Sequence, residues 1–306
     1  MSLSRSRVRL GLRGHLPPSL PCGSIRGPDP GLNTTIVVMK SERQHREDIC
    51  RFGKLLHERS YIAATDGNLS VRLDSDTILC TPTMMSKGMM EPEDLVVVNM
   101  AGCRVAGQRN VSSEIAMHLL IYKVRPDVHG VVHAHPHTAT GYAAAGLPLN
   151  QALVSEIVIS LGCIPLARYA TPGTAELTQA LEPLVPNYDA ILMANHGVVT
   201  YGADLLQAYM KMETVEHFAR ITMVTHLLGR QQLLSDEDVR KLVVARERYG
   251  IMTPAAQGAG CPVTASAPAQ PAGRSPSESS GERFSVTREE LASIVKDAVR
   301  NTKRRW

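Results

Sequence analysis

The chain has 306 residues, 43% hydrophobic and 20% charged, with a formal net charge of +4. That length allows one large domain with a packed core plus appendages, and no run approaches the roughly 18 consecutive apolar residues of a membrane-spanning helix. Residues 1–38 carry five arginines against one acid, Asp29, which accounts for the whole excess; the remaining chain is neutral and offers no general nucleic-acid surface.

Residues 1–38 are rich in Arg, Ser, Pro and Gly without a lasting apolar period, so disorder is expected there. Prolines at 17, 18, 21, 28 and 30 oppose an amphipathic transit helix. Met39 opens a charged helical stretch and marks a second possible start, which would make the residues before it a gene-model extension. The folded domain is expected over 39–252. Periodicity predicts helices over 41–59, 113–124, 174–183 and 203–228, and strands over 68–73, 77–81, 95–99, 129–135 and 189–194. This pattern is α/β with a mixed sheet. Residues 253–284 read as a Pro/Ala/Gly/Ser linker. Residues 285–306 hold a last amphipathic helix, with apolar residues at 291, 294, 295, 298 and 299, a Thr287/Glu290 capping box and a Val286/Leu291 staple. The six cysteines are scattered without Cys-x-x-Cys spacing, which suits a reducing compartment.

The densest chemistry lies in Gly130-Val-Val-His-Ala-His, with His133 and His135, and in Ala194-Asn-His-Gly, with His196. Alternate residues of a strand share a face, so the His-x-His pair can present two imidazoles to one ion, with His196 arriving from a second strand end. Three ligands leave a coordination position open, the arrangement for polarising a substrate oxygen. A His-x-His pair on an apolar strand is, by itself, equally consistent with satisfied core histidines. His137, His118 and His129 are weaker candidates, the last two reading as surface or packing residues beside the 113–124 helix.

Three loops carry small polar residues: Asp66-Gly-Asn-Leu-Ser70, Thr81-Pro-Thr-Met-Met-Ser-Lys-Gly88, and Ser112-Ser113-Glu114 at a helix start. Free N–H groups and the helix dipole favour an anion at such a start, although Ser112 or Ser113 reads equally well as an ordinary N-cap with Glu114 in the first turn.

Taken in order, Gly67-Asn68-Leu69-Ser70, Thr81-Pro82-Thr83, Ser112-Ser113-Glu114, Arg125-Pro126-Asp127, His133-Ala134-His135, Tyr169-Ala170-Thr171 and Asn195-His196-Gly197 resemble the class II aldolase/adducin family over about residues 45–225. The resemblance implies a three-layer α/β/α domain with a central mixed, largely antiparallel sheet. It implies a homotetramer with one divalent ion per subunit, Zn2+ first, held by His133, His135 and His196. Glu114 would be the acid/base, and Gly67, Asn68, Thr83, Ser112 and Ser113 would bind the substrate phosphate. The implied reaction is cleavage of a ketose 1-phosphate, of L-fuculose 1-phosphate or L-rhamnulose 1-phosphate type, to dihydroxyacetone phosphate and lactaldehyde through a metal-stabilised enediolate.

The same scaffold serves pentulose-phosphate 4-epimerases, dehydratases, decarboxylases and the non-catalytic adducins. Glu114, where epimerases have aspartate, and the short gap to His196 resemble the fuculose-phosphate aldolases. Two positions depart from them: Val154 stands where a proton-donating tyrosine is expected, and Met84 replaces a glycine. The 285–306 segment resembles the encapsulation peptides that bring enzymes to the shell proteins of bacterial microcompartments, so the bacterial cytoplasm, inside such a compartment, is the implied location.

Overall fold

The computed structural model describes residues 40–248. The extension at 1–38, the linker at 253–284 and the helix at 285–306 lie outside the described residues.

The first helix, α1 (Glu42–Glu58), starts where Ser41 and Gln44 cap each other's backbone N–H groups in a capping box. Its buried residues Ile49, Phe52 and Leu56 recur at helical spacing on the face turned to the sheet. Strands β1 (Asn68–Arg72), β2 (Thr77–Cys80), β3 (Val96–Asn99) and β4 (Arg104–Ala106) follow, then α2 (Ile115–Val124) and β5 (Gly130–Ala134). The rest comprises α3 (His137–Ala144), α4 (Ser155–Ser160), β6 (Leu166–Ala167), α5 (Ala175–Leu181), β7 (Ala190–Met193), β8 (Gly197–Gly202), α6 (Leu205–Leu227) and α7 (Asp236–Arg248).

The strands form one sheet in the order β4-β3-β2-β1-β5-β8-β7-β6. Every neighbouring pair is antiparallel except β6 with β7. Side chains alternate across it. Leu69, Val71, Val132 and Ala134 pack with Phe52, Met212, Val215 and Phe218 on one face, whereas Val131, Ile191 and Val199 pack with Met117, Ile121 and Leu177 on the other. The domain is therefore a three-layer α/β/α sandwich around a mixed, mainly antiparallel sheet, as the family resemblance implies. Among the described residues no helix is long and apolar enough to cross a membrane.

Several elements differ from the sequence reading. The helix expected over 113–124 begins at Ile115, which leaves Glu114 at the N-cap rather than in the first turn. Strand β8 was not predicted; all six of its residues are buried, so it lacks the alternation that marks a half-exposed strand. Helices α3 and α4 and strands β4 and β6, all short, were also missed, as was the 13-residue α7.

An ionic clasp closes one end of the sheet. Arg125 Nη2 lies 2.7 Å from Asp127 Oδ2 and 3.0 Å from Asp189 Oδ1, and Lys211 Nζ lies 2.8 Å from Asp189 Oδ2. The Asp189 side chain is 4% exposed, so removing it leaves Lys211 without a carboxylate and Arg125 with Asp127 alone. Asp189→Ala is expected to cost about 3–5 kcal/mol in urea unfolding. Asp189 precedes β7 whereas His196 follows it, so the folded variant should keep the far end of the strand in place.

Candidate metal centre

At the other end of the sheet the ends of β5 and β7 meet the beginnings of β1 and β8. His133 is the fourth residue of β5, fully buried, and opposite Asn68 of β1 and Val199 of β8. His135 lies just beyond the strand, which stops at Ala134, and its backbone N–H donates to the Tyr61 carbonyl at 2.8 Å. His196 sits in the three-residue turn joining β7 to β8, after Asn195 at φ 55°. Asparagine tolerates that left-handed conformation better than most residues, which suits a tight hairpin turn. Gly197 has a packing requirement instead: a Cβ there would lie 2.5 Å from His135 Cδ2 and 2.7 Å from the Ala134 carbonyl. Only glycine leaves room for the imidazole.

The three rings converge edge-on, with centroids 4.7, 4.9 and 5.3 Å apart. One nitrogen from each can be chosen so that all lie within 4.8 Å of one another. Outer contacts fix two of the rings. His133 Nδ1–H donates to the Val198 carbonyl at 2.9 Å, and His135 Nδ1 lies 3.5 Å from Asp66 Oδ2. With its Nδ1 protonated, neutral His133 turns an Nε2 lone pair inward, the state a metal ligand needs.

His133 then has no proton to give to the groups its Nε2 faces. His133 Nε2 stands 3.1 Å from His135 Nε2 and 3.3 Å from Glu114 Oε2, while Glu114 Oε1 stands 3.2 Å from His196 Nε2. Glu114 Oε1 is buried without a hydrogen-bond partner, and so is His196 Nδ1. Burial alone would discharge these groups. Glu114's charge outweighs it and raises His133, while the His133 and His196 rings outweigh it at Glu114 and hold that carboxylate far below its usual range. Burial, together with His133 and His196, pushes His135 down to about 4. Three imidazole nitrogens and a carboxylate around an unsatisfied buried oxygen fit a divalent cation.

The proposed phosphate-binding residues form the neighbouring walls. Asn68 Nδ2 donates to Glu114 Oε2 at 2.8 Å and reaches Ser112 Oγ at 3.4 Å. Gly67, at φ 68°, has its Cβ direction blocked by Ile62 at 2.6 Å and the His133 carbonyl at 2.8 Å, so it too must be glycine. Ser112 Oγ accepts from Glu114 N–H at 3.3 Å, turning the chain into α2. Thr83 joins this wall by its backbone, its N–H donating to the Asn110 carbonyl at 3.0 Å beside a Pro82–Val111 bridge. Ser113 is exposed and lies against the 171–174 loop, where a Gly173 Cβ would be 3.2 Å from its carbonyl. Met84 has φ 53° in a loop where the resemblance expects glycine, and its 80% exposed side chain carries backbone strain that glycine would not. Lys87 is 2% exposed; its ammonium donates to the Thr65 and Met85 carbonyls at 2.7 Å each and ties the two loops together.

Val154, in the expected tyrosine position, is the N-cap of α4 and lines a cavity with Arg59, Tyr61 and Phe218. None of that cavity's lining residues belongs to the histidine cluster. His118 corrects the sequence reading most: it is 2% exposed and hydrogen-bonded to Asn68 and Ser70. Its spacing of four from Glu114 on the helix was the available signal. His129 and His137 are exposed.

Burial lowers His118 from 6.5 to about 3. The unfolded chain therefore binds this proton from about pH 6.5 downward while the folded chain refuses it. The sign follows: stability is full above that pH and falls on acidification toward pH 3, by at most about 1.4 kcal/mol per pH unit for this one group. His118→Gln should flatten that part of the slope, as read by urea unfolding at about pH 7 and about pH 5.

Residues 47–223 match the family described as class II aldolase and adducin N-terminal domain. A 3-oxo-tetronate 4-phosphate decarboxylase of Pectobacterium atrosepticum is 32% identical over 216 residues, covering 69% of this chain and 97% of that protein. A 5-deoxy-D-ribulose 1-phosphate aldolase of Bacillus thuringiensis is 30% identical over 211 residues, covering 68% of this chain and 98% of that one. Among solved structures, an L-fuculose 1-phosphate aldolase has a TM-score of 0.63 and 31% identity, covering 69% of this chain and 98% of its own. The chain thus belongs to the class II aldolase and adducin N-terminal domain family, as a metal-dependent enzyme of the aldolase type.

Proposed function

We propose that the chain cleaves a ketose 1-phosphate, of L-fuculose 1-phosphate or L-rhamnulose 1-phosphate type, to dihydroxyacetone phosphate and lactaldehyde. The observation that carries the reading is the convergence of His133, His135, His196 and Glu114 on one point, with the Glu114 oxygen Oε1 buried and unsatisfied. His133, His135 and His196 would hold the ion, Zn2+ in the simplest reading. A bound divalent ion would supply positive charge for substrate oxygens that become negative as the carbon–carbon bond breaks.

The chain's own groups do the rest. Gly67, Asn68, Thr83, Ser112 and Ser113 would hold the phosphate through N–H and hydroxyl donors, fixing the sugar's direction across the histidines. Glu114, ionised and next to that wall, would remove the proton from the carbon that becomes nucleophilic in the condensation direction; in cleavage it would first take up, through solvent, the proton lost by the hydroxyl that becomes the aldehyde and then deliver it to the carbon that loses its bond. Its Asn68 contact aims one carboxylate oxygen, while the other faces His196 Nε2 at 3.2 Å.

Decarboxylation of a 3-oxo sugar acid phosphate is the second reading, favoured by Val154. Aldol cleavage must take a proton from the hydroxyl that becomes the aldehyde, work suited to a tyrosine, whereas departing carbon dioxide needs no such group. The test is a panel of ketose 1-phosphates and 3-oxo-tetronate 4-phosphate, assayed for dihydroxyacetone phosphate and carbon dioxide with and without chelator. Chelator-sensitive dihydroxyacetone phosphate from a ketose 1-phosphate, without carbon dioxide, supports the aldolase; dihydroxyacetone phosphate released together with carbon dioxide, and only from 3-oxo-tetronate 4-phosphate, replaces it with the decarboxylase.

The homotetramer is supported by apolar residues left bare on α6, with Met210 54% and Leu227 80% exposed. The microcompartment location rests on the amphipathic sequence at 285–306 and on the reactivity of a lactaldehyde product. Deleting 285–306 should spare activity and end shell association.

A further inference from the structure

Behind Glu114 the two elements beside it carry interleaved rows of polar side chains. On α2 and its cap, Glu114, His118 and Tyr122 recur every four residues and share one helix face. On β1, Asn68, Ser70 and Arg72 alternate and share one sheet face. The rows mesh: Asn68 bonds both Glu114 and His118, Ser70 bonds both His118 and Tyr122, and the Arg72 guanidinium lies 4.9 Å over the Tyr122 ring.

The hydrogen bonds have one consistent direction. An ionised Glu114 only accepts, so Asn68 turns its Nδ2 toward it, at 2.8 Å. The amide's Oδ1 then faces His118 Nε2, which must carry a proton. A neutral ring protonated there has an accepting Nδ1, and Ser70 Oγ donates to it at 2.6 Å. Ser70 in turn accepts from the Tyr122 hydroxyl at 2.8 Å. Every donor points toward the carboxylate. Burial keeps the His118 ring neutral through this range of contacts, in accord with the single-proton assignment.

An asparagine amide is nearly symmetric in shape, so sterics alone do not choose which end faces Glu114. We propose that His118 is a positioning residue whose Nε2–H fixes the Asn68 amide with its N–H toward Glu114, Ser70 and Tyr122 fixing the ring's proton in turn. A flipped amide would put a carbonyl oxygen against the carboxylate and withdraw the N–H from the substrate side. This rests on Glu114 being the proton-transfer group of the proposed reaction.

The test is made on the full-length, metal-loaded protein. His118→Leu, which removes the N–H, is expected to lower kcat by about 10–100-fold and to raise KM for the phosphorylated substrate, with metal content unchanged. His118→Gln offers an amide N–H at the same place and should recover most of the loss. Adding Asn68→Ala to His118→Leu should lower kcat no further than Asn68→Ala alone, because the two act as one unit. Full additivity, wild-type kcat in His118→Leu, or a folded His118→Gln no better than the leucine variant would each overturn the proposal. Nitrogen-15 NMR of labelled histidines, assigned with His118→Gln, reads the ring directly: Nε2 protonated and Nδ1 bare is expected. A proton on Nδ1 sinks the proposal whatever reaction the enzyme performs. Conversely, failure of His133→Ala to affect turnover would refute the metal reading and leave this ring assignment standing.

Discussion

Replacing His133 by alanine is expected to empty the site and remove at least about 4 kcal/mol of transition-state stabilisation, roughly a thousandfold in kcat/KM. Of the three rings, His133 is the only fully buried one and has the best-defined proton: its Nδ1–H is anchored on Val198 at 2.9 Å. Its Nε2 faces both His135 Nε2 and Glu114 Oε2, so it contacts the other inward groups on two sides. Alanine would leave His135 and His196 as a two-nitrogen site and Glu114 with one histidine contact fewer. Metal content after dialysis gives the decisive reading. Wild-type protein should keep about one divalent ion per chain and the variant almost none, a loss of ligand number that no neighbour can replace. Because the deletion also opens a cavity, unfolding must be followed beside the assay; a folded, metal-free, inactive variant is the expected result. Wild-type metal content would refute the assignment of His133 as a ligand.

The histidine cluster was legible in the sequence because its signals are local. A His-x-His pair ending an apolar strand needs only the alternation of a strand to put both rings on one face. His196 needed more, since the turn that carries it is defined by a strand, β8, whose uniformly buried residues give no period. The loops at 67–68 and 112–114 were legible as polar loops, but their meeting depends on β1 pairing with β5 and on α2 crossing behind them. His118 shows the remaining difficulty. Its partners are 48 and 50 residues away in sequence, and a buried histidine on an apolar helix has the same sequence signature as a packing residue. Only the matched periods of four on the helix and two on the strand connect them, and those periods gain meaning once the two elements are known to face each other. Val154 stands out only against the family pattern, and its cavity contains none of the three histidines.

Glu114→Gln separates the two roles that this carboxylate could play. Its oxygens are 3.3 Å from His133 Nε2 and 3.2 Å from His196 Nε2, close enough to be a fourth ligand, yet the residue also sits beside the polar wall made by Asn68 and Ser112. Glutamine keeps the shape and the oxygen that Asn68 can bond, but loses the charge and the basicity. A proton-transfer role requires basicity, and removing it should lower kcat by about 100- to 10,000-fold while metal content and phosphate binding stay near wild type. A ligand role requires the charge, and its loss would appear first as weaker metal retention. The geometry favours the former: three histidines already supply a nitrogen set, while Asn68 aims Glu114 Oε2 along the polar wall. Solvent exchange gives the sharpest reading. In heavy water the wild-type enzyme, given dihydroxyacetone phosphate and no aldehyde, should wash deuterium into the carbon that becomes nucleophilic, and Glu114→Gln should not. Exchange at the wild-type rate in the variant would move the proton-transfer role to another group; lost exchange together with lost metal would assign Glu114 to the ion.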